Sequence, residues 1–198
     1  RPMLESKMRS DRMGDGGADA ASIEASRQQL ARLALQLEDA LAEMVKAQLI
    51  IVRRSDLWLE VEINSDILFP SGSATLDFGA RELLGRLAVV LRDLPNPIRI
   101  EGYTDDRPIA TAQFPSNWEL SAARAASVVH LFVSERFAPE RLVMVGYGQY
   151  RPKAENTSDA GRNANRRVVL MVLATPDTTA PRPGSQPAGP AAQSDPPA

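Results

Sequence analysis

Acidic, amide and guanidinium side chains lie close together in the stretch EGYTDDRPIATAQFPSNWELSAARA. Asp105 and Asp106 end a strand-like run, and a loop with two prolines leads from them to a predicted helix. Asn117, Ser121 and Arg124 follow at spacings of four and three residues, which places them on one stripe of that helix. We therefore expect a cleft with a carboxylate on one wall and a guanidinium on the other.

Such a cleft complements a zwitterion. A carboxylate holds an ammonium group, and a guanidinium binds a carboxylate as a bidentate pair. The free amino-acid end of a small molecule or of a stem peptide carries both charges on one centre. Two other interpretations stay open from these residues: an Asp–Arg ion pair that only steadies the loop, and a divalent metal held by the two aspartates. No other ligand cluster converges on the aspartates, so neither a metal nor a cofactor is expected.

The same residues do not predict catalysis. His130 is the single histidine, and it follows Ser121 by nine residues on the same predicted helix. That spacing separates them by about 13.5 Å along the axis, too far for a nucleophile and its base. The chain has no cysteine, which excludes thiol catalysis and thiolate zinc sites. We expect a binding protein and not an enzyme, with His130 as a packing or surface residue.

Composition narrows the class of partner. The net charge is −2 and aromatic residues make up 5% of the 198 residues, so neither charge nor base stacking favours nucleic acid. No apolar run approaches the roughly 18 residues that a membrane helix needs. The chain begins with Arg1 and has no signal peptide, which suggests a fragment of a longer protein.

Four regions are predicted along the chain. Residues 1–21 form a polar flexible linker, residues 22–54 an amphipathic helix, residues 55–174 a folded domain, and residues 175–198 a disordered proline-rich tail. The helix carries a heptad-like seam made of Leu30, Ala34, Leu37, Leu41, Met44, Gln48 and Ile51. This seam predicts either packing on the domain's own core or a short self-associating coiled coil, and the two remain equally supported.

The folded domain is predicted to be of the α/β (α+β) class. Alternating and apolar runs predict strands over 57–63, 98–104, 141–145 and 165–173, and helical spacing predicts helices over 77–94 and 116–136. The residues SNWE, beginning at Ser116, predict a capping box at the start of the second helix. Two strand–helix–strand units imply a mixed four-stranded sheet with the helices on one face.

Four separate motifs resemble a known family. GYTDD, SNWELSAARA, VGYGQYRP and GRNANRRV occur in the order and at the spacings of the OmpA-like peptidoglycan-binding domain. The wording of TDD and PSNWELSAARA is most similar to flagellar motor stator B subunits, the MotB family with its MotD-type paralogues. The resemblance covers about residues 57–173 and implies the OmpA-like sandwich fold.

The resemblance also implies a site. In the family, peptidoglycan is bound non-covalently through the diaminopimelate of its stem peptide, with an aspartate at the ammonium and an arginine at the carboxylate. Those two residues correspond to Asp105 and Arg124. The site residues expected by this correspondence are Thr104, Asp105, Asn117, Leu120, Arg124 and Arg166, the last belonging to the NRR motif formed with Asn165 and Arg167. The loop FPSGSAT departs from relatives that carry an aspartate there, so no side-chain ligand contact is carried over to it.

The resemblance implies partners and a location as well. A stator B subunit forms a homodimer, works with a stator A channel subunit, and lies in the periplasm, tethered to the inner membrane by an upstream helix that this sequence lacks. It anchors the stator to the cell wall so that ion flux gives torque. A passive envelope tether of the Pal or OmpA type is the alternative, and a cell-wall hydrolase is disfavoured.

Overall fold

A five-stranded mixed sheet forms the centre of the computed structural model, which describes residues 15–55 and 58–174. Predictions for residues 1–14, Leu57 and the tail over 175–198 lie outside the described residues. The elements follow in the order α1 Asp15–Ala40, α2 Ala42–Lys46, β1 Ile50–Arg54, β2 Trp58–Asn64, α3 Ser65–Leu68, α4 Phe78–Arg92, β3 Ile98–Tyr103, α5 Asn117–Ser134, a 3₁₀ turn Pro139–Arg141, β4 Leu142–Gly146, α6 Asp159–Asn165 and β5 Arg167–Leu173.

The strands lie in the order β1-β2-β5-β3-β4. The pair β3–β4 is parallel, whereas β1–β2, β2–β5 and β5–β3 are antiparallel. The last strand in the sequence is therefore the central one, as its apolar residues on both faces predicted. The parallel pair requires a crossover, and α5 supplies it between β3 and β4.

The predicted count of four strands was wrong by one. Residues 50–54 were assigned to the end of the amphipathic helix, but they form the edge strand β1, paired with β2 in the register Ile50 to Ile63. The run Ile50, Ile51, Val52 is β-branched and loses side-chain freedom in a helix, which favours the strand. The helical conformation ends before this run, and Gln48 between the two elements has a positive backbone φ of 58°.

The N-terminal helix also has different bounds from those predicted. It begins at Asp15, so residues 15–21 are helical and not linker, and it ends at Ala40 with the short α2 after it. Two glycines at positions 16 and 17 weaken a helix but do not forbid it, and the alanines at positions 18, 20 and 21 favour it. None of the helices in the described part of the chain is both long and apolar enough to cross a bilayer.

The predicted seam packs against the chain's own sheet. Ala34, Leu37, Leu41 and Met44 are buried in the main hydrophobic core together with residues of β2 and β5. Ile51 instead lies on β1 with 44% of its surface exposed. The first of the two alternatives is therefore the one found, and these side chains are not available as a coiled-coil seam.

The two faces of the sheet differ. Leu59, Val61 and Ile63 of β2 point into the core beneath the helices, as their alternation predicted. Glu60 and Glu62 lie on the opposite face, where Arg53 Nη1 bridges their carboxylates at 2.9 and 2.7 Å. The helices of the domain thus cover one face, and the other carries ion pairs and a small apolar cluster around Tyr103, Val169 and Met171.

Helix α5 lies unusually close to the parallel strands. A Cβ atom added at Gly102 would stand 2.1 Å from the carbonyl oxygen of Ser121, and one added at Gly146 would stand 2.6 Å from the backbone nitrogen of Ala122. Both contacts are with helix backbone, which has no flexible end that can move aside. The two glycines therefore set the height of α5 above the sheet, and with it the positions of the side chains on its first turns.

We predict that Leu37→Lys combined with Leu41→Lys destabilises the monomer. Both side chains are at most 1% exposed, and burying two unpaired charges in their place costs several kcal/mol. Thermal melts and sedimentation run together test this prediction. Leu35→Lys on the same helix is the matched control, because Leu35 is 58% exposed. A double variant that keeps the wild-type melting temperature but sediments at a lower mass would instead support the coiled-coil interpretation.

We predict that Gly102→Ala lowers the free energy of unfolding by more than about 2 kcal/mol, because the added methyl group overlaps helix backbone. Gly85→Ala is the control. Its added Cβ would have Glu135 Oε1 as its nearest neighbour at 3.9 Å, so this helix-interior change should stabilise by roughly 0.5–1 kcal/mol. Urea denaturation measures both variants, and equal effects would show that the close approach of α5 does not matter.

Candidate functional site

A cleft of about 620 Å³ opens where the end of β3, the segment from α3 to Ser73 and the first turns of α5 meet. This volume lies in the range of small-molecule sites. Its lining includes every residue expected from the family resemblance: Thr104, Asp105, Asn117, Leu120, Arg124 and Arg166. The predicted carboxylate and guanidinium therefore do line one cleft.

Asp105 is the buried acid of the cleft, with 6% of its surface exposed. Its Oδ1 accepts the backbone N–H of Arg107 at 3.1 Å, and its Oδ2 accepts Arg166 Nη1 at 2.8 Å. A carboxylate has about four acceptor positions, so these two bonds leave room for a further donor. Asp106, the next residue, is exposed and does not line the cleft.

Arg124 is a buried cation whose charge has no direct ion-pair partner in the described part of the chain. Only 4% of its surface is exposed, and burial lowers the pKa of its guanidinium below the ordinary value. Its Nε donates to the carbonyl oxygen of Ser73 at 2.8 Å, and its guanidinium carbon lies 5.1 Å from the ring centre of Phe69. Among the described residues, no carboxylate lies within salt-bridge distance of it. The Asp–Arg ion pair considered from the sequence is thus not formed by Asp105 and Arg124.

Arg166 supplies the ion pair instead. Its Nη2 and Nε bond to the two oxygens of Asp66 at 2.6 and 3.0 Å, and its Nη1 bonds to Asp105. The hydrogen bond with Asp66, opposed by burial and assisted by Asp105, raises the pKa of Arg166. The other members of the NRR motif face elsewhere. Asn165 is fully buried and binds the backbone of Lys153 and Ala154, and Arg167 lies 3.8 Å above the ring of Tyr103 on the opposite face.

Asn117 ties the cleft wall together. Its Nδ2 donates to the carbonyl oxygen of Arg107 at 3.0 Å and to Gln149 Oε1 at 2.8 Å, so it holds the loop after β3 against the loop after β4. Ser121 was expected on the same stripe, but its hydroxyl accepts the N–H of Gly148 at 2.9 Å and donates to the carbonyl of Trp118 at 3.0 Å. It therefore packs toward the strands and does not face the cleft.

Thr104 and Leu120 complete the lining. Thr104 Oγ1 donates to the carbonyl oxygen of Asp105 at 2.9 Å, which fixes the backbone that carries the acid. Leu120 packs with Ala74 and Phe114 in a small apolar cluster of its own. Polar groups of the cleft thus have an apolar wall beside them.

The start of α5 is capped differently from the predicted capping box. Ser116 Oγ accepts the N–H of Trp118 at 3.2 Å, not that of Glu119, and it donates to Glu119 Oε2 at 2.5 Å. That hydrogen bond lowers the pKa of the exposed Glu119 carboxyl. His130 is exposed late on the same helix, in keeping with the predicted surface position.

Sequence reasoning missed Asp66. Residues 64–76 lie outside the predicted helices and strands, but the first of them form α3, capped by the Asn64 side chain, which accepts the N–H of Asp66 at 2.8 Å. The Asn-Ser-Asp sequence is typical of a helix N-terminus and was the available signal. The same segment supplies Phe69 beneath Arg124 and the carbonyl oxygen of Ser73, contacts that no local pattern predicts.

The described residues form a domain with helices on one face of a mixed sheet and a buried Asp and Arg in one cleft. The OmpA family model matches residues 68–166, half of the chain, and the chain belongs to the OmpA family. The recognition of that family and the fold class expected from it are confirmed.

Two relatives from Bacillus subtilis show where the similarity extends. The chain is 37% identical to the uncharacterized protein YtxE over 68% of this chain and 56% of that protein. It is 30% identical to motility protein B over 75% of this chain and 58% of that protein. The chain therefore spans little more than half the length of these relatives.

Two solved structures are similar to the whole domain. A putative MotB-like protein from Desulfovibrio vulgaris has a TM-score of 0.72 and 28% identity, covering 77% of this chain and 96% of that one. The cell wall anchor of the type VI secretion system from Pseudomonas aeruginosa has a TM-score of 0.66 and 38% identity, covering 70% of this chain and 97% of that one.

We predict that Arg166→Ala costs more stability than Asp66→Asn. Removing Arg166 leaves the buried Asp105 without its charged partner, at a cost of about 2–3 kcal/mol. Asp66 is 48% exposed in its pair with Arg166, so losing its charge should cost less than about 1 kcal/mol. Chemical denaturation measures the order, and equal losses would mean that Asp105 does not depend on Arg166.

Proposed function

We propose that this domain binds peptidoglycan non-covalently by holding the amino-acid end of the stem peptide's diaminopimelate in the cleft. The ammonium group lies at Asp105 and the carboxylate at Arg124. The observation that carries the proposal is the state of Arg124: a buried guanidinium that lines the cleft, with no carboxylate of residues 15–55 or 58–174 within salt-bridge distance. An isolated buried charge is costly, and a ligand carboxylate would offset that cost.

The charges of the cleft fit such a ligand. Asp105 and Asp66 share Arg166, so the acids of the described lining already have a cation. Arg124 interacts favourably with the same two acids only at longer range. A zwitterion adds no net charge, and each of its two groups meets the opposite charge. A ligand with only an ammonium group would leave Arg124 uncompensated.

We propose further that the wall-binding domain serves a flagellar stator in the periplasm. Its support is the similarity to motility protein B and to a MotB-like structure. A stator A channel subunit and an inner-membrane helix outside this sequence would complete the complex. A homodimer would form through a surface other than the predicted seam, because those leucines are buried in the monomer.

A second candidate is a passive wall anchor outside the motor. It is favoured by the 38% identity to a type VI secretion cell wall anchor. Both functions use the same cleft, and they differ in what the domain is attached to. Co-purification of the full-length protein with a channel subunit would support the stator, whereas a membrane or lipid anchor alone would support the tether.

We predict that Arg124→Met abolishes peptidoglycan binding without destabilising the fold. Methionine keeps much of the buried volume and removes an uncompensated charge, which offsets loss of the hydrogen bond to the Ser73 carbonyl oxygen, so the free energy of unfolding should change by no more than about 1 kcal/mol. Loss of a desolvated charged contact with the ligand should weaken binding by roughly 2–5 kcal/mol. Pelleting with isolated cell walls and thermal melts measure the two effects.

Asp105→Asn should also lose binding, whereas Asp106→Asn is the matched control. Asp106 has the same side chain at the next position but is exposed outside the cleft. Unchanged pelleting of both Arg124→Met and Asp105→Asn would refute the proposed site. Equal loss in the two aspartate variants would mean that overall charge, and not the cleft, determines binding.

A further inference from the structure

A pair of stacked aromatic side chains lies exposed beside the cleft. The ring centres of Trp118 and Tyr150 are 4.9 Å apart, and the ring planes differ by 23°. Trp118 is 47% exposed and Tyr150 is 62% exposed. Single exposed apolar residues are common on proteins, but two rings from separate segments held against each other form a built surface.

Each residue of the pair directly follows a residue at the cleft wall. Trp118 directly follows Asn117, which lines the cleft, and Tyr150 directly follows Gln149. Asn117 and Gln149 are joined by a hydrogen bond of 2.8 Å. Consecutive Cα atoms are about 3.8 Å apart, so the aromatic pair stands one residue outside the cleft wall on each side of that bond.

We propose that the Trp118–Tyr150 pair is a second subsite, which stacks against a sugar ring of the glycan strand whose stem peptide occupies the cleft. This inference rests on the proposed function. The C–H groups on one face of a pyranose complement the negative face of an aromatic ring. Three α-linked residues extend about 10 Å, and the γ-linked glutamate and the diaminopimelate side chain lengthen this reach, so a sugar attached to a stem bound in the cleft can contact a surface one residue outside the cleft wall.

The stacking of the two rings suits this role. Each ring restricts the other, so little side-chain entropy is lost when a ligand binds. Neither ring is needed for the local backbone structure. The N–H of Trp118 bonds to Ser116, and its carbonyl accepts the Ser121 hydroxyl, and both bonds survive truncation of the indole. The side chains therefore remain available for a contact with a partner.

Calorimetry with two ligands tests the subsite: the tripeptide L-Ala–γ-D-Glu–diaminopimelate, and the same stem joined to its N-acetylglucosamine–N-acetylmuramic acid disaccharide. The wild-type chain should bind the disaccharide-peptide more tightly. Trp118→Ala and Tyr150→Ala should each weaken that ligand by about 3- to 10-fold and leave the tripeptide affinity unchanged. Phe78→Ala is the control, since Phe78 is an aromatic residue with 84% exposure that does not line the cleft.

The outcomes separate this inference from the proposed function. If Trp118→Ala and Tyr150→Ala both bind the disaccharide-peptide as tightly as Phe78→Ala does, the subsite is refuted, but the proposed binding of the stem peptide in the cleft is not. If the wild-type chain binds neither ligand, the proposed function fails and the subsite with it. The other candidate occupant of the pair is a second copy of this chain, and sedimentation tests for it. A lower mass for Trp118→Ala than for the wild-type chain, with unchanged affinity for the disaccharide-peptide, would make the pair a self-association surface and overturn the proposal. Thermal melts of both variants verify folding.

Discussion

The arrangement of the cleft depends on one electrostatic constraint: the Arg124 guanidinium is buried, and the described residues place no carboxylate within salt-bridge distance of it. Its support comes from the carbonyl oxygen of Ser73, the face of Phe69 and the longer-range field of Asp66 and Asp105. These contacts hold the side chain in place but do not neutralise it as a direct ion pair would. The segment from α3 to Ser73 must therefore pack tightly on α5, and α5 must lie close to the sheet, which the glycines of β3 and β4 allow.

Arg166 joins the two acids of the cleft. By bonding to both Asp66 and Asp105, it keeps two carboxylates close together, while Arg124 also lines the cleft and has no ion pair with a described residue. Under the proposed function, the division of roles between two arginines would make the cleft selective for a group with both charges. Under the proposed second subsite, the exposed aromatic pair one residue away would extend the same wall toward an uncharged ligand portion, so peptide and sugar recognition would be adjacent and separable.

Much of the sheet and part of the cleft could be predicted from the sequence, and the wrong predictions have physical causes. Strand alternation in β2, the apolar β5 and the spacing of Asn117 and Arg124 gave the sheet, its central strand and two cleft residues. The predicted helical seam extends through Gln48 to Ile51, but the β-branched run there forms an edge strand. Hydrophobic periodicity alone contains no information on which segments pair at the edge of a sheet. Ser121 shares a stripe with Arg124, yet the close approach to Gly146 turns its hydroxyl toward the strands. Asp66 was missed because its partner Arg166 lies 100 residues away in the chain.

The central claim is that the cleft recognises an ammonium and a carboxylate on one centre. Calorimetry of the wild-type chain with two stem tripeptides that differ only in the third residue tests it most directly. Diaminopimelate carries both groups at the end of its side chain, whereas lysine carries the ammonium alone. The account predicts that the lysine peptide binds about 10- to 100-fold more weakly, since the centre that carries its ammonium group has no carboxylate for Arg124 to bind. Equal affinity for the two peptides would contradict it.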